Sequence, residues 1–382
     1  MIDTITLSIP VTKVDIGNLE QFSPSASNVF TTDRGYRIYT RNPTPMEKRL
    51  KIYVPVYTLY RRYRDSVDIS LNIQFSIPKL LYGNNFQEVS DDDFDSVINI
   101  LENKLPSHRI HISKERLINS KVVAIHFSKN ILLSEGLNCS MVINQLVKAV
   151  DTNLKQDVKQ VQFKNGGQIL HIHTKDSEFA IYDKVRELEQ GKISEDRSID
   201  KQVYTQLYLL DDALLNNYLR LEFRMVGQKA ITRKLRSYAD EFSNTPLTFK
   251  NLFNKDISKK MLSNFWKREI RDRYLNIIWK DMDSYELLLS LKEKNEDLTE
   301  RELIELIFLQ SMISERGIPT LRATMGWIGK KSYKWTKHRK LLRKICIEDS
   351  RSYIIKDIDN QLDEFSLFKK IPDRLREKVN IF

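Results

Sequence analysis

Residues 166–190, GGQILHIHTKDSEFAIYDKVRELEQ, bring two histidines, His171 and His173, close to a tyrosine, Tyr182. The segment reads as a β-hairpin, with strands Ile169 to Thr174 and Ser177 to Asp183 around a polar turn at Lys175 and Asp176. A two-residue turn sets Thr174 against Ser177, His173 against Glu178, His171 against Ala180 and Ile169 against Tyr182; a three-residue turn breaks this register. Directly opposed residues share one face of a sheet, so His171, His173 and Tyr182 point to the same side. Histidines at i and i+2 of a strand can jointly ligate a divalent metal. A phenol beside a metal-polarised phosphate is a candidate nucleophile. The plainer alternative is that the histidines are ordinary strand residues and that Tyr182, one of sixteen tyrosines, only packs.

Two further segments offer polar groups. In LRLEFR (219–224), strand alternation puts Leu219, Leu221 and Phe223 on one side and Arg220, Glu222 and Arg224 on the other. A carboxylate flanked by arginines suits phosphate and metal binding, and it equally suits a surface salt-bridge ladder. In VVAIHFSKN (122–130), Val123, Ile125 and Phe127 turn to the core, leaving His126 on a polar face as a possible ligand or a structural histidine.

These segments sit in a first half that alternates strands and helices. Strands are expected at 3–8, 67–77, 121–128, 159–164, 168–174, 178–183 and 218–226, and the run at 50–60 is rich in β-branched and aromatic residues. Ser90 and three aspartates mark a helix start, with Phe94, Val97, Ile98 and Leu101 on one face of a helix running to about Lys104; a second helix lies near 140–151. From about 229 the period changes to threes and fours, as in Leu303, Ile304, Leu306, Ile307 and Leu309. The fold class expected is α+β: an antiparallel-rich sheet domain with covering helices over 1–228, then a mostly α-helical basic domain over 229–382, with 244–251 as a connection.

Composition narrows the function class. The 382 residues hold 62 Lys and Arg against 51 Asp and Glu, a net charge of +11. Such a balance points to a polyanionic partner, nucleic acid first and an anionic membrane surface second, against the bland reading of a basic soluble protein. Only two cysteines, Cys139 and Cys346, are present and far apart, which argues against structural zinc or a disulfide framework and fits a reducing cytoplasm. No signal peptide and no apolar run of membrane-spanning length is expected. Residues 316–344 hold ten Lys and Arg without an Asp or Glu, with Trp327, Tyr333 and Trp335 interleaved. Arg322, Lys330, Lys331, Lys334, Lys337, Arg339 and Lys340 would neutralise phosphates there, and aromatics such as Trp335 would stack on bases or else form a core. A helix, a Gly-Ile-Pro break and a basic segment loosely match a helix-turn-helix reader. The stretch from Lys259 to Arg273 is basic too, but Glu269 and Asp272 interrupt it.

Taken in order, the segments resemble the replication initiators of filamentous phages and related rolling-circle plasmids. The resemblance rests on Met1-Ile2-Asp3 with a strand to Pro10, SIPKLLYGNNF at 76–86, AIHFSKN at 124–130, AIYDKVRELE at 180–189 and LRLEFR at 219–224, and it covers about residues 1–226. It implies a metal-dependent endonuclease and strand transferase that uses Mg2+ or Mn2+ in a bacterial cytoplasm. Tyr182 matches the tyrosine that becomes linked to DNA, and Glu222 the acidic residue of the later strand. His126 stands where relatives carry Asp, which changes the charge and hardness of the ligand set. The implied partners are origin DNA, double-stranded and locally single-stranded, with a host helicase and polymerase; an oligomer is compatible. Metal would be held by Glu222 with His126 or with His171 and His173. Lys184 and Arg220 would neutralise developing charge, and Arg224 would contact DNA. The competing functions are a non-catalytic origin or RNA binder and a mobilisation relaxase with the same chemistry.

Overall fold

A computed structural model describes residues 1–24, 36–41, 44–50, 53–63, 67–149, 157–162, 167–174, 176–190, 217–272, 283–327, 333–342 and 353–368. The strands are β1 (Ile2–Pro10), β2 (Asp15–Ile16), β3 (Phe22–Pro24), β4 (Tyr36–Arg41), β5 (Val56–Tyr63), β6 (Val67–Ser76), β7 (Ile110–His111), β8 (Lys121–Leu132), β9 (Asp157–Gln162), β10 (Gln168–Thr174), β11 (Ser177–Asp183) and β12 (Tyr218–Val226). The α-helices are α1 (Pro45–Leu50), α2 (Ile77–Tyr82), α3 (Phe94–Ser107), α4 (Lys114–Ile118), α5 (Cys139–Ala149), α6 (Lys184–Gln190), α7 (Gln228–Tyr238), α8 (Phe249–Leu252), α9 (Lys255–Phe265), α10 (Ser284–Lys294), α11 (Glu300–Thr324), α12 (Tyr333–Leu342) and α13 (Tyr353–Glu364).

Ten strands form one sheet in the order β3-β4-β5-β6-β1-β8-β12-β11-β10-β9, each pair antiparallel. The architecture is α+β, as the change of period along the chain predicts. Alternation decides which face is covered. Leu219, Leu221, Phe223 and Met225 of β12 and Phe179 and Ile181 of β11 are buried in the main core. Phe265 of α9 closes over them, stacked on Phe179 with ring centroids 4.4 Å apart and 4.7 Å from Phe223. Burial of each such ring stabilises by about 1.5–3 kcal/mol. The opposite face carries Thr4, Thr6, His126, Ser128, Glu222 and Tyr182, a mostly polar surface.

The β5 segment differs from its expectation. Leu50 ends α1, and the strand starts only at Val56, immediately after Pro55. Proline has no N–H for the ladder, so the strand begins beyond it. β8 runs four residues past the expected 128 to Leu132, because its polar residues Ser128 and Asn130 also have partners. Residues 246–249 are no loose connection: Val122 donates to Leu247, and Phe249 donates to Ser120.

The two apolar cores divide the chain differently from the change of period near 228. The first joins the sheet to α3, α5, α7, α8, α9 and α13. The second takes Leu287 and Leu291 of α10, Leu303 to Leu321 of α11, Trp327, and Trp335 to Leu342 of α12. Helical periodicity shows that a helix has an apolar face but not which surface it covers. Among the described residues no helix is long and apolar enough to cross a membrane.

Candidate active site on the polar sheet face

The register builds the site as three rows across β10, β11, β12 and β8. They read Ile169–Tyr182–Arg220–Asn130, His171–Ala180–Glu222–Ser128 and His173–Glu178–Arg224–His126. Thr174 does pair with Ser177, so His171, His173 and Tyr182 share a face as the two-residue turn requires.

Glu222 is the hub. Its Oε2 accepts from the Tyr182 hydroxyl at 2.9 Å and from Arg224 Nη2 at 2.9 Å. Its Oε1 lies 3.1 Å from His126 Nδ1. A carboxylate only accepts, so that nitrogen carries the proton. Burial disfavours the Glu222 charge, yet the hydrogen bonds from His126 and Arg224 and the charge of Arg224 hold its pKa well below the usual carboxylate range. Burial, and then the Glu222 charge, push the Tyr182 phenol well above its usual value. Tyr182 is only 5% exposed, so in this state the phenol is a protonated donor.

A second cluster sits beside the hub. Single donor atoms of His171, His173 and Glu178 all lie within 4.8 Å of one another, which makes a possible metal site. The imidazole rings stack 5.5 Å apart, and His171 Nδ1 is hydrogen-bonded to Glu178 Oε1. Arg224 Nη1 joins the two clusters by reaching Glu178 Oε1 at 3.3 Å. Burial opposes the Glu178 charge, but the bond from His171 and the charge of Arg224 lower its pKa overall. Ala180 keeps the middle row open, with only a methyl group between His171 and Glu222.

The expected ligand set therefore separates. His171 and His173 come together with Glu178, whereas His126 and Glu222 form a pair already engaged with Arg224 and Tyr182. Glu178 was not among the predicted ligands, although the hairpin register had put it opposite His173.

Arg220 is buried, with its fork in use. It donates to Ser128 Oγ at 2.9 Å and to the Asn85 carbonyl at 2.6 Å, and pairs with Asp3 at 2.9 Å. Lys184 is fully buried and donates to Asn85 Oδ1 and Glu187. Both cations meet at the loop following α2. There Gly83 takes φ 71, and the Asn84 side chain accepts from the backbone N–H groups of Phe86 and Gln87. Glycine suits that left-handed turn, and asparagine closes the loop. Arg220 and Lys184 thus position the Tyr182 end of β11 and β12 and do not face an open cleft. The roles of Asn85 and Asp3 were not read from sequence; each lies more than a hundred residues from Arg220, with no local pattern to mark it.

The C-terminal basic segment needs correction. Trp327 and Trp335 are 6% and 2% exposed and stack on each other at 6.1 Å, so they form core and not a platform for bases. Arg322 is buried too, bonded to the Trp327 carbonyl and 5.4 Å over the Trp335 ring. Lys334, Lys337 and Lys340 of α12 are exposed, and Arg339 is half-buried. Lys330 and Lys331 lie outside the described residues. The Gly-Ile-Pro break is present, with Gly317 at φ 82 and ψ 160 inside α11.

No protein-family model matches this chain, and no curated protein sequence matches it significantly. The functional reading rests on the geometry above and on the resemblance of its segments.

Proposed function

We propose that this chain is a metal-dependent, site-specific DNA nickase and strand transferase that starts rolling-circle replication through Tyr182. The observation that carries the reading is the 2.9 Å hydrogen bond from the Tyr182 hydroxyl to Glu222, one row from the His171–His173–Glu178 cluster. A phenol, the carboxylate that accepts its hydrogen bond and a set of metal donors then share one polar sheet face.

His171, His173 and Glu178 would hold the ion. Two imidazoles and one carboxylate fit Mn2+ better than Mg2+, which prefers oxygen donors. When bound, the ion supplies Lewis-acid polarisation of the scissile phosphate. Tyr182 Oη attacks phosphorus, and its proton passes to Glu222. The Oη–P bond forms, the bond to the 3′ oxygen breaks, and that oxygen leaves as a 3′-OH after taking up a proton. The products are a 5′-phosphotyrosine and a primer end. Reversal at a second 3′-OH rejoins the strand without ATP, because the phosphodiester energy is kept in the protein link. Arg224, half-buried between Glu222 and Glu178, is the cation placed to meet charge developing on the phosphate.

The burial of Tyr182 favours a second reading, a nucleic-acid binder without chemistry. A covalent-adduct assay decides between them. The protein is incubated with Mn2+ and supercoiled DNA of its own replicon and run on denaturing gels beside Tyr182→Phe. A metal-dependent adduct lost in the variant supports the nickase. Binding without nick or adduct leaves the non-catalytic reading.

A further inference from the structure

Beyond the polar face, α7 lines a groove whose charge is not explained by the site. Lys121, Lys229, Thr232, Arg233, Arg236 and Thr248 line an open groove of about 640 Å³. That volume falls within the ~300–1,000 Å³ of sites that hold multi-atom ligands, so it exceeds what one small ion needs. Four of its lining residues are cations, and none is acidic.

The sequence of α7 explains the stripe. Lys229, Arg233 and Arg236 recur at i, i+4 and i+7, while Ala230, Ile231, Leu235 and Tyr238 are buried against the core. The helix has no acid in its first turn and no side-chain cap. Its positive dipole end and first N–H groups therefore add to the lysine and arginine charge. Among the described residues, Arg233 pairs with Asp176, while no carboxylate pairs with Lys121, Lys229 or Arg236.

The groove also lies where a strand crossing the sheet would leave it. Asp176 belongs to the turn of the β10–β11 hairpin, so its pair with Arg233 ties α7 to the end of the sheet that carries His173, Glu178 and Arg224. α7 begins four residues after Arg224. Lys121 pairs with Ser8 at the same end of β8.

We infer that this groove binds the sugar–phosphate backbone of a DNA strand and carries it to and from the polar sheet face. The inference rests on the nucleic-acid reading above but not on the chemistry of Tyr182. It moves the principal backbone contact from the C-terminal basic segment to α7.

The test uses the full chain bearing Tyr182→Phe, so that binding is read without cleavage. Anisotropy of a fluorescein-labelled single-stranded oligodeoxynucleotide is titrated at several salt concentrations. The comparison protein also carries Lys121→Gln, Lys229→Gln and Arg236→Gln, all at exposed positions. Expected is a loss of affinity of tenfold or more at low salt. The slope of log affinity against log salt should fall by about 2, at roughly 0.7 per lost phosphate contact. A second comparison protein carries Lys334→Gln, Lys337→Gln and Lys340→Gln on α12 and should lose less. Unchanged affinity and slope in the groove variant, with the parent binding well, overturn the groove and leave the nucleic-acid reading standing. A larger loss in the α12 variant also overturns it. Failure of the parent to bind DNA at all overturns both.

Discussion

Arg224 holds Glu222 and Glu178 with one guanidinium, Nη2 to the first at 2.9 Å and Nη1 to the second at 3.3 Å. Through it the phenol site and the candidate metal site share a charge. An ion bound at Glu178 would draw that carboxylate away from Arg224 and leave the guanidinium to Glu222 and a phosphate. The two clusters are therefore expected to respond to each other's mutation.

Tyr182→Phe removes a buried hydrogen bond to a charged acceptor. Such bonds contribute about 1.5–3 kcal/mol, so denaturant unfolding should show the variant less stable than the wild type by that amount. Glu222→Gln weakens the same bond, and a double-mutant cycle should give a coupling of about 1–2 kcal/mol. Additive losses would show that the pair does not interact in solution.

Metal binding should depend on Glu178 and on pH. Calorimetric titration with Mn2+ is expected to show one site, weakened tenfold or more in Glu178→Ala or His171→Ala and nearly unchanged in His126→Ala. Protons compete with the ion for its donors, so affinity should weaken as the pH is lowered. Loss of the site in His126→Ala alone would return the ligand set to the Glu222 side.

How much of this was legible follows from the range of each interaction. The hairpin register was readable because a two-residue turn and a period of two leave little choice, and the rows of the site follow from it. The alternation of β12 exposed Arg220, Glu222 and Arg224 as one face. The convergence of Arg220 and Lys184 on Asn85 was not readable, since it joins residues 85, 184 and 220 through a loop with no periodicity. Trp335 was read as a stacking surface because the charges around it are dense. Its burial depends on the stacked Trp327 ring and on Arg322, which no local periodicity brings to it. α9 could be recognised as amphipathic, but its partner was set by Phe179 and Phe223, in strands far upstream.

Acid should unfold this protein early. Glu222, Glu178, Glu88 and Glu47 all have pKa values lowered in the fold, where burial is outweighed by neighbouring cations and hydrogen bonds. Their stabilisation is complete above the ordinary carboxylate range and is lost as pH falls through their folded values. His108 acts in the same direction: burial, then Arg41, lowers its pKa, so the unfolded chain takes up that proton first as pH drops below about 6.5. Burial also lowers the Met1 amine to about 5, so the melting temperature should decline gradually from about pH 8 and fall steeply below about 4.5. Differential scanning calorimetry from pH 8 to 3 checks this. A rise in melting temperature towards pH 4 would contradict the pairing described here. Glu88→Gln should cost more than the loss of one surface charge, about 3–5 kcal/mol, because it leaves Lys129 buried 2.6 Å from a neutral partner.

The break at Gly317 ties the second core to the first, and its cost can be separated into two parts. At φ 82 and ψ 160 the residue lies in a region that is almost exclusively glycine's. A Cβ there would also meet Lys148 Cα and its carbonyl oxygen at 3.0 Å, so backbone of α5 would have to move. Gly326 has φ 66 with nothing within 4 Å of an added Cβ. Gly326→Ala should therefore lose only the left-handed backbone penalty, about 1–2 kcal/mol. Gly317→Ala should lose that and the contact with α5, about 3 kcal/mol or more. Chemical denaturation of the two variants gives the comparison directly. Equal losses would mean that α5 and α11 do not pack this closely, and the close approach at Lys148 would then not be what fixes the position of the break.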